Sequence, residues 1–177
     1  MGCWGITALE SDNGLDAVRC VRYNLPADGQ LDLGEMLERL KKDRWNAPCD
    51  VKLGCAHTSP MALAEIVVKY LDGDPGSLDY DEEWAAEDNK FRSITSFTAS
   101  RASLRELRDY LADTLKYARI RAERQIKAGG WFDPKDWDGW QKHMEGLIHR
   151  LDGVLALEGS TLELAHPPAP TVPELTM

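Results

Sequence analysis

The stretch Met61-Ala62-Leu63-Ala64-Glu65-Ile66-Val67-Val68-Lys69-Tyr70-Leu71 decides the fold. Its apolar residues cover nearly the whole circumference of a helix instead of one stripe, and a helix apolar all round must lie among other elements. Thr58-Ser59-Pro60 precedes it, where a hydroxyl can accept from the unpaired amides of a first turn and a proline there sacrifices no hydrogen bond. Asp72-Gly73-Asp74-Pro75-Gly76 follows and stops the helix. The pattern predicts a central, heavily buried helix over residues 60–72.

On the N-terminal side, Glu10-Ser11-Asp12-Asn13 opens a helix whose apolar face holds Leu15, Val18, Cys20 and Val21, and Asn24-Leu25-Pro26 closes it. A second helix begins at Asp32, with Glu35 as a capping-box partner and Leu33, Met36, Leu37 and Leu40 at helical spacing. These two read as a hairpin, and residues 45–57 as a loop. On the C-terminal side, Phe91 to Phe97 is the one aromatic and β-branched stretch, a short strand without an evident partner. Ser100 or Ser103 opens the longest helix, in which Leu104, Leu107, Leu111, Leu115, Ala118 and Ala122 keep a helical spacing to about Lys127 before Gly129-Gly130. Asp133-Pro134 starts a last helix with Trp137, Trp140, Met144, Leu147, Ile148, Leu151 and Leu155 on one face. The expected fold class is mainly α, an irregular bundle of about five helices in one domain over 1–165. The tail 166–177, with four prolines in twelve residues, is expected to be unstructured. A small α+β arrangement is the alternative because of residues 91–97.

The 177 residues are 43% hydrophobic and 29% charged, the composition of a folded globular protein. No apolar run approaches the roughly 20 residues of a membrane span, and no secretory signal opens the chain, so a cytoplasmic location without membrane attachment is expected. Met1-Gly2-Cys3 suggests an acylated start, but Ile6 occupies the position that N-myristoylation requires to be Ser or Thr. Four cysteines in a reducing compartment are expected to remain free thiols.

The net charge of −9 is concentrated in the first half. Residues 72–88 carry eight carboxylates, Asp72, Asp74, Asp79, Asp81, Glu82, Glu83, Glu87 and Asp88, with no Lys or Arg. Such a segment repels a phosphate backbone and attracts a basic protein. It does not fit an EF-hand: a loop started at Asp79 needs glycine at Trp84 and glutamate at Lys90. Trp84 within the segment, and Trp131 and Phe132 beside Gly129-Gly130, are read as aromatic anchors for an interface, with packing into helix junctions as the alternative, whereas Trp137 and Trp140 fit the core.

Cys49, Cys55 and His57 form the one Cys/His cluster, but its C-x5-C-x-H spacing lacks the tight pair of structural zinc sites, and no metal or cofactor is expected. A thiol at Cys3 or Cys55 activated by His57 would need a particular turn. His143 and His149 are six apart, not the three or four of a helical metal pair, and are expected at the surface or its boundary. No P-loop, dinucleotide fingerprint, nucleophile elbow or H-E-x-x-H is present.

The opening Met1-Gly2-Cys3-Trp4-Gly5, then Glu10-Ser11-Asp12-Asn13-Gly14-Leu15-Asp16, and later Ala62-Leu63-Ala64-Glu65-Ile66-Val67, resemble a bacterial family of small proteins known as a domain of unknown function. Its members begin M-G-x-W-G and carry an A-x-A-E-x-V helix; the likeness covers about residues 1–72. Ile6-Thr7-Ala8-Leu9 departs from it, standing where members tend to have a glycine and a phenylalanine. The resemblance implies no catalytic residues, and an immunity, anti-defence or accessory role on a mobile element. Physically, glycines on either side of Trp4 permit a tight turn that would send the indole into the bundle and tie down the N-terminus.

The function expected from these readings is a non-enzymatic interaction module that meets a basic macromolecular partner through Asp72–Asp88 and Trp131–Phe132. A small hydrolase or metal-assisted enzyme using Cys49, Cys55, His57 and nearby carboxylates is the alternative. Pairing of the acidic segment with the basic stretch 116–127 is the structural alternative to a partner.

Overall fold

The computed structural model describes residues 3–53, 57–79, 90–124 and 134–165. The fold is mainly α, with five α-helices and a small three-stranded sheet among the described residues. The helices are α1 (Asp12–Tyr23), α2 (Leu33–Lys42), α3 (Thr58–Leu71), α4 (Arg101–Glu123) and α5 (Pro134–Leu155). The strands are β1 (Gln30–Asp32), β2 (Ser96–Ser100) and β3 (Thr161–Glu163).

Helix α3 is the centre. It touches α1, α4 and α5, and Met61, Ala62, Leu63, Ala64, Ile66 and Val67 are all buried in the one core cluster. Glu65 is its one buried acid, made tolerable by partners: Oε2 accepts from the Ala8 amide at 2.7 Å, and Oε1 lies 3.5 Å from His143 Nε2 on α5. Around this axis, α4 and α5 pack on each other through Leu104, Leu107, Leu111, Leu115, Trp140, Met144, Leu147 and Leu151.

Three helix starts follow from their caps. Ser11 accepts from the Gly14 amide, Asp32 from Glu35 and Ser100 from Ser103, each relieving a first-turn donor. Helix α3 differs from its expected start. Its cap is His57, which makes no side-chain capping bond, and Thr58 and Ser59 already belong to the helix. Ser59 Oγ instead donates to the Asn46 carbonyl at 2.5 Å and holds the preceding loop on α3.

The strand expected without a partner has two. β2 pairs in parallel with β1, Leu31 opposite Phe97, and antiparallel with β3, Ala99 opposite Leu162. All four of these side chains point into the core. The extended segment also lies later than expected, at 96–100, because Phe91–Ser93 is a 3-10 turn. β1 interrupts the expected α1–α2 hairpin: Gly29, at φ 76°, turns the chain so that its carbonyl accepts from the amides of Thr95 and Ser96. Arg101 fastens the other end, donating to the carbonyls of Gly159 at 2.6 Å and Leu155 at 2.7 Å.

Two further expectations are corrected. The N-terminal backbone is tied down, with the Trp4 amide donating to Glu10 O at 2.9 Å, but the indole is 54% exposed and does not enter the bundle. Cys49 is disulfide-bonded, whereas Cys3 and Cys20 are free thiols. Among the described residues no helix is long and apolar enough to cross a membrane.

Candidate functional site

Asp79 and Phe91 flank the acidic segment, and a set of hydrogen bonds clamps these two points together. The Asp79 side chain is only 1% exposed. Its Oδ1 accepts from the Phe91 amide at 2.7 Å, and its Oδ2 from the Arg92 amide at 3.0 Å and Arg92 Nε at 3.1 Å. Tyr70 of α3 donates its hydroxyl to the Phe91 carbonyl at 2.6 Å. Arg22 of α1 donates to the Leu78 carbonyl at 2.7 Å, its guanidinium 5.7 Å from the centre of the Phe91 ring. Leu78 and Phe91 are buried beside them. Burial pushes the Tyr70 phenol well above its usual range, and the nearby Asp79 charge pushes it further, so the hydroxyl stays a donor.

This geometry sorts the expected partner-binding residues. Asp79 is corrected: its carboxylate faces inward, against backbone amides, and is withdrawn from any surface contact. Asp72 and Asp74 lie at the surface, but each has a cation, Arg150 Nη2 at 2.7 Å and Lys69 Nζ at 3.7 Å. Such exposed pairs contribute about 0–1 kcal/mol each and leave the carboxylates in water. Asp81, Glu82, Glu83, Trp84, Glu87, Asp88, Trp131 and Phe132 lie outside the described residues.

The basic stretch of α4 looks elsewhere than toward the described acids of this segment. Arg119 bonds Gln141 and Glu145 of α5, and Arg121 bonds the Lys52 carbonyl at 3.0 Å. The counter-charges of Asp72, Asp74 and Asp79 come instead from α5, α3 and the 91–93 turn.

Cys49 is bonded, and Cys55 lies outside the described residues. His57 is buried, with Nδ1 directed at the Tyr110 carbonyl at 3.1 Å and 3.0 Å from Thr114 Oγ1, its ring edge-on to Tyr110. Among the described residues no three His, Cys, Asp or Glu side chains are grouped to hold a metal ion. Burial raises the pKa of both free thiols, that of Cys20 to about 11 with help from Asp43, so neither is a ready nucleophile at neutral pH.

One feature of the surface escaped sequence reasoning. An open cleft of about 440 Å³ lies between α1 and the turn after α2, lined by Asp16, Arg19, Cys20, Tyr23, Asn24, Asp43, Trp45 and Asn46. Trp45 is 83% exposed and Tyr23 62%. The signal was Asp43-Arg44-Trp45-Asn46, an aromatic inside a polar turn, but nothing in the sequence places that turn against α1.

Comparisons with protein families, with curated proteins and with solved structures found no match.

Proposed function

We propose that the protein is a non-enzymatic interaction module that binds a basic protein through the acidic residues between Asp79 and Phe91. The observation that carries this reading is the clamp at the base of the segment. Three hydrogen bonds accepted by Asp79 from Phe91 and Arg92 join the two ends to each other, and one each from Tyr70 and Arg22 ties them to α3 and α1. Ends held on a rigid core reduce the freedom that a partner must remove on binding. Asp81, Glu82, Glu83, Glu87 and Asp88 then supply negative charge with no Lys or Arg among them, Asp72 and Asp74 add to its margin, and Trp84, Trp131 and Phe132 serve as aromatic anchors.

The same charge disfavours direct contact with nucleic acid, so a partner that itself binds nucleic acid fits the chemistry. An immunity or anti-defence setting, with the protein occupying the basic face of such a partner, suits this reading, as does a cytoplasmic location. The Cys49 disulfide is the feature that a reducing compartment would oppose. The hydrolase alternative lacks comparable support, since Cys49 is bonded and burial keeps Cys3 and Cys20 protonated.

The test is a titration of the whole chain with a cationic peptide at low and at high ionic strength. Binding that weakens steeply with salt is expected, because exposed charges are screened beyond about 8–10 Å near physiological salt. Absence of binding at low salt, or affinity indifferent to salt, would contradict it.

A further inference from the structure

The acidic segment accounts for attraction to a cation without choosing among cations. The cleft beside α1 adds that choice. It adjoins a second cleft of about 200 Å³, lined by Asn13, Pro48, Thr58 and Ser59 among others, and the two share Asp16, Trp45 and Asn46. Together they make one groove along the outer face of α1 from Asn13 to Tyr23, roughly 15 Å at about 1.5 Å per helical residue.

Trp45 stands in the middle of this groove, and its exposure is built in. Asp43 Oδ1 accepts from the Trp45 amide, the Asn46 amide and Asn46 Nδ2, each at 2.9 Å. Burial opposes ionisation of Asp43, yet these bonds outweigh it and hold the carboxyl below its usual range. The Ser59 bond to Asn46 O fastens the turn to α3. A fixed turn thus keeps a large indole in water, where burying it would have been favourable, and this is the arrangement of a binding platform. The ring already attracts one cation: the Arg44 guanidinium lies 5.4 Å from its centre. Asp16 shares the groove, with its side chain 59% exposed and its ion pair to Arg19 stretched to 3.9 Å. The lining carries two carboxylates, Asp16 and Asp43, and one cation, Arg19, with the Arg44 guanidinium beside them over the Trp45 ring.

We infer that this groove docks an arginine side chain of the basic partner, its guanidinium stacked on Trp45 and paired with Asp16; the inference rests on the function proposed above. The planar guanidinium stacks on an indole and pairs side-on with a carboxylate, whereas an ammonium is a strongly hydrated point charge that does neither as well. The acidic segment supplies long-range attraction, and the groove supplies selection.

Oligoarginine and oligolysine peptides of equal length are titrated against four proteins. These are the wild type, Trp45→Ala, Asp16→Asn, and a variant with Asp81, Glu82, Glu83 and Glu87 changed to their amides. The wild type is expected to prefer oligoarginine by about three- to fivefold. Trp45→Ala, and to a lesser degree Asp16→Asn, should erase that preference while binding of oligolysine persists. The amide variant should bind both peptides more weakly and keep the preference. Both groove side chains are exposed, so unchanged circular dichroism is the control. Equal affinity of the wild type for the two peptides, or a preference that survives in Trp45→Ala and in Asp16→Asn, overturns the inference and leaves the acidic-segment reading standing. Failure to bind either peptide overturns both.

Discussion

Replacing Asp79 by alanine leaves the buried Phe91 amide and the part-buried Arg92 amide without their acceptor, and frees the Arg92 guanidinium. A loss of about 2–4 kcal/mol in urea unfolding is expected, since each stranded donor costs about 1–3 kcal/mol and the lost bonds were charge-assisted. A loss under about 0.5 kcal/mol, the range of ordinary surface changes, would show the clamp to be dispensable. Tyr70 works at the same joint and gives a pH signature. Its phenol is raised above the value of about 10 that an unfolded tyrosine has, so its contribution is complete below pH ~10 and fades as pH rises through the higher folded value. Tyr70→Phe should cost about 1 kcal/mol at neutral pH by removing the hydroxyl's bond to the Phe91 carbonyl, which keeps the Ile94 amide as a donor, and should flatten the alkaline fall in stability measured from pH ~8 to ~12. An alkaline limb identical to the wild type would remove Tyr70 from the account. At this scale the sequence is least legible. Asp79 looks like the seven other carboxylates of 72–88, and Trp4 like a residue flanked by glycines for burial. Both outcomes depend on residues remote in sequence or on where the bundle closes, which spacing does not reveal.

The helices were legible because their information is local. Ser11, Asp32 and Ser100 cap as their positions suggest, and the unbroken apolar run of α3 announces its burial. The sheet was not, because each edge strand has three residues, too few for an alternating pattern, and β1 meets β2 across more than sixty residues of chain. The junction of α1 with the 3-10 turn Ala8–Glu10 shows how tightly such elements meet. A methyl group on Gly14 would lie 1.7 Å from the Ala8 carbonyl oxygen, which also accepts from Ser11 Oγ at 2.7 Å. Helix propensity alone would reward Gly14→Ala with up to about 1 kcal/mol. The clash should reverse the sign and destabilise by about 1–3 kcal/mol, read as a lower melting temperature. A raised melting temperature would mean that the turn yields and the junction is loose.

Across the whole molecule, the charge of −9 is carried by an acidic half whose described carboxylates at 72, 74 and 79 are matched by Arg150, Lys69 and Arg92. The segment of concentrated negative charge was plain in the sequence, as was its lack of internal cations. Its clamped base and the Trp45 groove were not, since both are made by α1 and α3 meeting loops from elsewhere in the chain. On the proposed function, Asp81, Glu82, Glu83, Glu87 and Asp88 serve a basic partner and not the fold. The most direct measurement takes one variant with these five changed to their amides, Asp79 left intact, and records its melting temperature and its affinity for a cationic peptide side by side. The melting temperature is expected to stay level or rise, because like charges no longer repel, while affinity at low salt falls steeply. A lowered melting temperature with unchanged affinity would contradict the claim and assign those carboxylates to the structure.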